Sequence, residues 1–495
     1  MSNVRVRFAP SPTGYLHIGG LRTALYDYLY AKQEGGTYIL RIEDTDRNRF
    51  VDDAMKNLIE SLTWAGVVHD EGVFLNEAGE IVQKGEYGPY IQSERLDIYK
   101  EHLNQLIESG HAYPCFCSKE RLETVREEQR ASNEMMKYDG HCRNLSTEEA
   151  AARIAAGEEY VVRLKMPANV DIAFDDTIRG HVSINSDDVD DQVLMKSDGF
   201  PTYHLAAVVD DHLMEITHVV RGEEWLVSTP KHIYLNECFG WQAPQYVHLP
   251  TVLNKEKKKL SKRHGDVAVG DFKKKGYTKE GLINYLALVG WSPEGDQEIF
   301  SMEELIAAFD FGRVSKAGGV FDVDKLNWVN AQHIRQLSLS DLTDLCVPYL
   351  LEAGKISEMD LQNRRPWLEL MISTVQERIE ILSDVVERSA LYFTEEVIPE
   401  TDEVEALLGT EGIPVLIEAM LAEMETIEEV DDEFMKGFFK RIQKATGIKG
   451  KNLYMPSRAM ITGQLHGPDM AAIFVVMGKA GIQNRLNYIQ ENFTK

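Results

Sequence analysis

Two short segments of this chain bring together residue types suited to handling phosphate. The first runs Arg7-Phe8-Ala9-Pro10-Ser11-Pro12-Thr13-Gly14-Tyr15-Leu16-His17-Ile18-Gly19-Gly20. Its prolines stiffen a loop. Thr13 and the glycines Gly14, Gly19 and Gly20 let backbone approach a ligand closely. His17 adds a donor beside the start of a helix, where anions are already favoured. A polyphosphate is the natural tenant, although a turn with a satisfied histidine accounts for His17 alone about as well. No Gly-Lys-Ser/Thr follows, so this is not a Walker loop. The second segment, Lys259-Leu260-Ser261-Lys262-Arg263, sets two lysines three residues apart. Both can reach one phosphate, and mobile ammonium groups stabilise the charge that a pentavalent α-phosphate gains in its transition state. Alone, such a run is more often a solvated or nucleic-acid-binding patch. Together and in this order, the two segments describe a site that grips ATP and activates a carboxylate.

A separate constellation is Cys115-Phe116-Cys117 with Tyr138 and Cys142. Three thiolates and a phenolate would close a four-coordinate structural zinc site. Reduced, buried thiols are the alternative. Cys238 and Cys346 are isolated, and five cysteines in 495 residues do not make a disulfide scaffold.

The elements that must position these residues are legible at the N-terminus. Residues 4–9 alternate and stop at Pro10, a first strand. Leu21, Leu25, Tyr28 and Leu29 fall at helical spacing within residues 20–33, and Gly35-Gly36 ends that helix. Residues 37–42 read as a second strand. Strand, loop, helix, strand opens a parallel doubly wound sheet, whose ligands bind beyond the carboxyl ends of the strands. The first loop, Glu43 and Asp44 all fall there. Residues near 100–195 read as an insertion that holds the cysteines, a charged helix (118–133) and a strand-rich stretch (160–184). Beyond about residue 275 helical periodicity dominates, and residues 322–328 read as a hinge. The expected domains are therefore 1–100 with 195–255, an insertion 101–194, a region 256–328 carrying the lysine loop, and a helical region 329–495.

Composition narrows the class. The chain is 43% hydrophobic, so large cores are available. It contains no run of 18 apolar residues, so no spanning helix is expected. The N-terminus lacks an import signal, which leads us to expect a cytoplasmic protein. A net charge of −27 argues against nucleic acid as a partner. Its distribution weakens that objection. Residues 395–433 hold fifteen acids and no Lys or Arg, whereas residues 434–495 carry net +8 and residues 255–275 net +6. Solvated helix faces are the plainer account of any one such run.

His17-Ile18-Gly19-Gly20 resembles the first signature of class I aminoacyl-tRNA synthetases, and Lys259 to Arg263 their second. The versions here resemble those of bacterial glutamyl-tRNA synthetases. So do Arg41-Ile42-Glu43-Asp44-Thr45-Asp46, Pro201-Thr202-Tyr203-His204-Leu205-Ala206, Val209-Asp210-Asp211-His212 and Arg221-Gly222-Glu223-Glu224-Trp225, and at the far end Gly450-Lys451 with His466-Gly467-Pro468. The likeness covers essentially the whole chain. Gly20 stands where most class I members have a second histidine, as is usual among glutamyl members.

The resemblance implies an α/β Rossmann-like catalytic domain with an inserted acceptor-binding α/β subdomain, followed by an all-helical anticodon-binding region. It implies L-glutamate, ATP with magnesium, and tRNA(Glu) as substrates, a monomer, and glutamate activation that needs bound tRNA. Arg7 and Arg221 would take the two carboxylates through their forked donors, although each read singly is more often a structural salt bridge. Glu43 would take the substrate ammonium, Asp44 a structural role, and Ala9, Ser11 and Tyr203 the walls of the same pocket. The family often has Asn four residues after that tyrosine, where Ala207 stands here. Thr13, Gly14, His17, Gly19, Ser261 and Lys262 would hold ATP, with His17, Lys259 and Lys262 catalytic. Glu224 and Trp225 would border the adenosine, Trp225 being equally suited to plain core packing. Cys115, Cys117, Tyr138 and Cys142 match the zinc site in the insertion of some members. Other members use a histidine where Asn144 stands or have lost the metal. The rivals fit less well. A glutaminyl enzyme carries β-barrels where this chain reads as helix. A relative that glutamylates a modified tRNA base lacks the anticodon region. A silent paralogue would be expected to lose His17, Arg221 or Lys262.

Overall fold

The computed structural model describes residues 4–260 and 267–494 and divides into two compact units, residues 1–274 with 282–326 and residues 275–281 with 327–495.

In the first unit the expected opening is present. Strand β1 (Arg5–Phe8) leads through the proline loop into helix α1 (Ile18–Gln33), and β2 (Thr37–Leu40) follows. Leu21, Leu25 and Leu29 are fully buried, which is the physical reason their spacing forms this helix. The sheet continues with β3 (Glu71–Leu75) and β4 (Ile81–Lys84). Strand β5 (Ala112–Cys115) begins the insertion. Helices α2 (Ala54–Trp64) and α3 (Leu96–Glu108) precede it, and α4 (Lys119–Ala131), capped by Ser118, and α5 (Thr147–Ala155) lie within it.

The strand-rich stretch 160–184 divides between two sheets. Strand β6 (Val161–Leu164) joins β5 and β9 (Val193–Met195) in a three-stranded sheet. The hairpin of β7 (Asp171–Asp176) and β8 (Gly180–Asn185) instead extends the main sheet beyond β11 (Gln245–Leu249). Alternation of side chains marks a strand but not which sheet it joins. With β10 (His218–Gly222) the main sheet is ordered β4-β3-β2-β1-β10-β11-β7-β8, parallel from β3 through β7. Successive parallel strands leave β1 in opposite directions, so the switch point lies between β1 and β10. Helix α6 (Tyr203–Leu213), buried on nearly every face, leads into β10, and α7 (Thr229–Phe239), with Pro230 in its first turn, leads into β11.

The second unit is helical, including Leu339–Glu352, Gly412–Met424, Lys451–Thr462 and Met470–Phe493, the last broken at Gly478. Two apolar clusters hold it together, one around Leu342, Leu368 and Ile372, the other around Leu416, Phe438 and Phe474. Residues 322–328, expected as a hinge, hold the boundary between the two units, which falls between Leu326 and Asn327 inside a helix, Val323–Gln336, whose Leu326 and Val329 are fully buried. Among the described residues no helix is long and apolar enough to cross a membrane.

Candidate active site

Two adjoining cavities open at the carboxyl ends of β1 and β10. The first, about 570 Å³, is lined by Arg7, Ala9, Ser11, Thr13, Glu43, Tyr203, Arg221 and Trp225, eight of the residues singled out from sequence, together with Thr45, Asn48, Arg49 and Lys196. The second, about 420 Å³, is lined by His17, Gly19, Glu224 and Lys259, with Arg22 and Leu260. Thr23 and Gly222 line both. Glu224 and Trp225, expected together at the adenosine, part company. Trp225 stands in the first cavity with its ring 4.3 Å from that of Tyr203, and Glu224 lies in the second. Thr13 also lies on the first side, and Gly14 lines neither cavity. Ala207 is buried within α6. Ser261 and Lys262 lie outside the described residues.

A buried lattice of charge fixes the first cavity. Asp211, on α6, accepts Arg7 Nε at 2.9 Å and Arg7 Nη2 at 3.3 Å, and Arg41 Nη1 at 2.8 Å. Arg41, fully buried, also donates to Glu43 Oε1 at 3.1 Å. Asp210 accepts from Arg95 Nε (2.7 Å), Gln92 Nε2 (2.8 Å) and Tyr99 (2.8 Å). Burial works to raise the Asp211 carboxyl, but Arg7 and Arg41 outweigh it and hold it below the usual range. For Glu43 burial wins over the attraction of Arg41 and Arg7, and its pKa is raised. Asp44 accepts Ser93 N–H at 2.8 Å, a structural bond as expected. Arg7 is thus a tethered guanidinium whose counter-ion comes from 204 residues away.

Arg221 is different. It sits opposite His248 in the β10–β11 register. It donates to His248 Nε2 (3.0 Å), Tyr203 Oη (2.9 Å), His232 Nδ1 (3.1 Å) and Thr229 Oγ1 (2.9 Å). None of these is a carboxylate. His248 in turn meets Asp176 Oδ2, from β7, at 2.7 Å, and His232 meets His204 at 3.0 Å.

In the second cavity His17 is the N-cap of α1. Its Nδ1 accepts the amides of Gly19 (3.0 Å) and Gly20 (3.2 Å). The backbone donors expected to greet an anion are therefore taken by the histidine, whose neutral ring carries its proton on Nε2. A Cβ on Gly19 would lie 3.0 Å from His17 Cε1, so glycine there makes room for the cap. Lys259 Nζ is 3.6 Å from Glu224 Oε1. Arg22 holds the carbonyls of Val289 (3.0 Å) and Pro250.

In the insertion, the sulfurs of Cys115, Cys117 and Cys142 lie within 4.8 Å of one another, Cys117 and Cys142 at 3.6 Å. Tyr138 Oη is 3.4 Å from Cys115 Sγ and 3.5 Å from Cys117 Sγ. Zinc–thiolate bonds of about 2.3 Å in a tetrahedron place sulfurs ~3.8 Å apart, so the donor set fits zinc.

The second unit contributes a basic point beside Gly467, one residue of which, Arg458, lies in the net-positive segment 434–495. Arg378 donates to Gln464 at 3.2 Å. A Cβ on Gly467 would lie 3.1 Å from Arg458 Nη1 and 3.6 Å from Arg378 Nη1, and Arg458 Nη1 is buried without a partner. Sequence reading missed Asp211, Arg41, Asp176, Thr229 and the histidines around Arg221. Their only signal was their place inside motifs already quoted, or none.

Comparisons agree with the geometry. The model for "tRNA synthetases class I (E and Q), catalytic domain" matches residues 3–328, and that for an anticodon binding domain matches residues 341–490. A glutamate–tRNA ligase of Clostridioides difficile is 58% identical over 99% of both chains, and one of Alkaliphilus metalliredigens 56% identical over 99% of this chain and 100% of its own. The crystal structure of a glutamate tRNA ligase from Elizabethkingia meningosepticum in complex with its amino acid superposes with a TM-score of 0.88 at 36% identity, covering 99% of this chain and 100% of the other. The chain belongs to the class I tRNA synthetase family of glutamate and glutamine enzymes, among its glutamate–tRNA ligases.

Proposed function

We propose that this chain joins L-glutamate to the 3′ end of tRNA(Glu) in two steps, through a glutamyl-adenylate formed from ATP. The observation that carries the reading is Arg221, 6% exposed at the wall of the first cavity and bonded only to uncharged acceptors. A buried guanidinium so placed is a receptor for an anion. The γ-carboxylate of glutamate lies against it, with the tethered Arg7 alongside. The substrate ammonium meets Glu43, whose raised pKa falls as the cation arrives. The α-carboxylate then points toward Gly222 and Thr23, where the second cavity begins.

ATP, with its magnesium, occupies that cavity. His17 and Lys259 face the phosphates, and Ser261 and Lys262 bind them as well, as the family resemblance implies. A carboxylate oxygen attacks the α-phosphorus, the bond to the bridging oxygen breaks, and pyrophosphate leaves. The terminal ribose hydroxyl of the tRNA then attacks the activated carbonyl carbon and releases AMP. Positioning and stabilised charge carry both steps. Cys115, Cys117, Cys142 and Tyr138 would hold zinc, which supplies a structural crosslink in the insertion. Residues 101–194 meet the acceptor end, 256–328 the stem and 329–495 the anticodon. The convergence of Arg378 and Arg458 beside Gly467 supports a contact with the tRNA there. The enzyme works as a cytoplasmic monomer.

The test is pyrophosphate exchange into ATP with glutamate or glutamine, with and without tRNA(Glu). Exchange that requires glutamate and tRNA together is expected. Absence of exchange in every condition, from folded protein that still binds tRNA, would overturn the reading.

A further inference from the structure

A guanidinium has five N–H bonds and no lone pair, so each of its partners must present an acceptor. Arg221 therefore dictates the state of the two histidines it touches. His232 accepts at Nδ1 and carries its proton on Nε2, 3.0 Å from His204 Nδ1. His248 accepts at Nε2 and carries its proton on Nδ1, 2.7 Å from Asp176 Oδ2. Both rings are neutral. Burial, followed by the charge of Arg221, holds His232 well below the ordinary histidine range. Burial also lowers His248, against the pull of Asp176.

The contrast with the neighbouring arginines is the informative part. Arg7 and Arg41 are as buried as Arg221, yet each is closed by a carboxylate within 3.1 Å. Arg221 has no carboxylate within 4.0 Å among the described residues. The nearest acid in its chain of bonds, Asp176, is set apart by the whole imidazole of His248. Removing a guanidinium from water without a counter-ion is costly, and an arriving anion relieves that cost where a neutral amide does not. Carboxylates in place of the histidines would have neutralised the receptor in advance.

We propose that His232 and His248 are positioning residues that clamp Arg221 with uncharged acceptors, and so leave its charge to select the side-chain carboxylate of glutamate over the amide of glutamine. The inference rests on the reading of the chain as a glutamate ligase.

The experiment compares variants that differ by charge at constant shape. In H232N the amide oxygen replaces the Nδ1 acceptor, and H232D is its anionic isostere. The same holds at Nε2 for H248Q and H248E. Aminoacylation of tRNA(Glu) is measured with varied glutamate, glutamine and ATP. H232D is expected to raise the KM for glutamate over that of H232N by roughly 10- to 100-fold, the range of one charged hydrogen bond. The KM for ATP should be unchanged, and the preference over glutamine should fall. H248Q and H248E should separate in the same sense. Equal glutamate KM within both pairs would overturn the proposal. Should the acidic variants not fold, ¹⁵N-histidine spectra of the unaltered full-length protein decide. Neutral rings protonated at His232 Nε2 and His248 Nδ1 are expected, and an imidazolium at either would refute it. Unaltered protein that charges no tRNA with glutamate would instead refute the ligase reading itself.

Discussion

The Asp211→Asn substitution tests the buried lattice. Asp211 receives three guanidinium N–H bonds, two from Arg7 and one from Arg41, and is itself almost wholly buried. An asparagine of the same shape can keep its oxygen toward Arg7 Nε and Arg41 Nη1. Its amide nitrogen then faces Arg7 Nη2, donor against donor. One charge-assisted bond is lost, the other two keep a charged donor but lose the charged acceptor, and a positive charge is left short of its counter-ion. Breaking a buried pair in this way costs about 3–5 kcal/mol, a large part of an ordinary folding free energy of about 5–15 kcal/mol. The assay is urea unfolding followed through the first unit's tryptophans, paired with the glutamate dependence of pyrophosphate exchange. The midpoint should fall at unchanged slope, and the KM for glutamate should rise more than the KM for ATP, because Arg7 lines only the first cavity. A stability change under about 1 kcal/mol with an unaltered glutamate KM would refute the claim that Asp211 holds Arg7.

Three further outcomes are expected. Purified protein should contain zinc, and C117S should lower it; bound zinc unaltered in C117S would exclude that ligand, and Y138F separates the fourth donor from the thiols. Gly19→Ala should displace the His17 ring and reduce kcat roughly 10- to 100-fold with the fold intact; an unchanged kcat would show that the cap does not position the histidine. Stability should decline as pH falls below about 6. His69 and His204, pushed by burial down to about 4 and about 3, stay neutral in the fold while they charge in the unfolded chain. The unfolded state thus binds more protons from the ordinary histidine range downward, and each histidine removes up to about 1.4 kcal/mol per pH unit. A flat urea midpoint between pH 7 and pH 5 would contradict this.

Local chemistry was the legible part of the sequence. The opening strand, loop and helix follow from proline, glycine and leucine spacing alone, and His17 stands where a helix-start donor should. The C-terminal helices likewise follow from periodicity. What could not be read were partners distant along the chain. Nothing near Arg7 announces Asp211, and only folding separates it, as a tethered cation, from Arg221, whose spacing and type are no different. Alternation placed strands in residues 160–184 but not the sheet that β7 joins, so Asp176 went unnoticed behind His248. Trp225 follows Glu224 directly, yet a 3-10 turn sends the two side chains to different cavities. The junction read at 322–328 is where the two units divide, between Leu326 and Asn327, but the sequence did not show that a helix, Val323–Gln336, runs through it.

Gly222 ends β10 and belongs to both cavities. A methyl group there would fall 2.2 Å from Glu224 Oε2 and push that carboxylate from its place beside Lys259. The partition between the two cavities, on the proposed function the glutamate chamber and the ATP chamber, is therefore a doorway framed by bare backbone. On that reading the two substrates meet across the threshold. A bulkier residue at that point would narrow the passage and at the same time disturb the wall that Glu224 gives the second cavity.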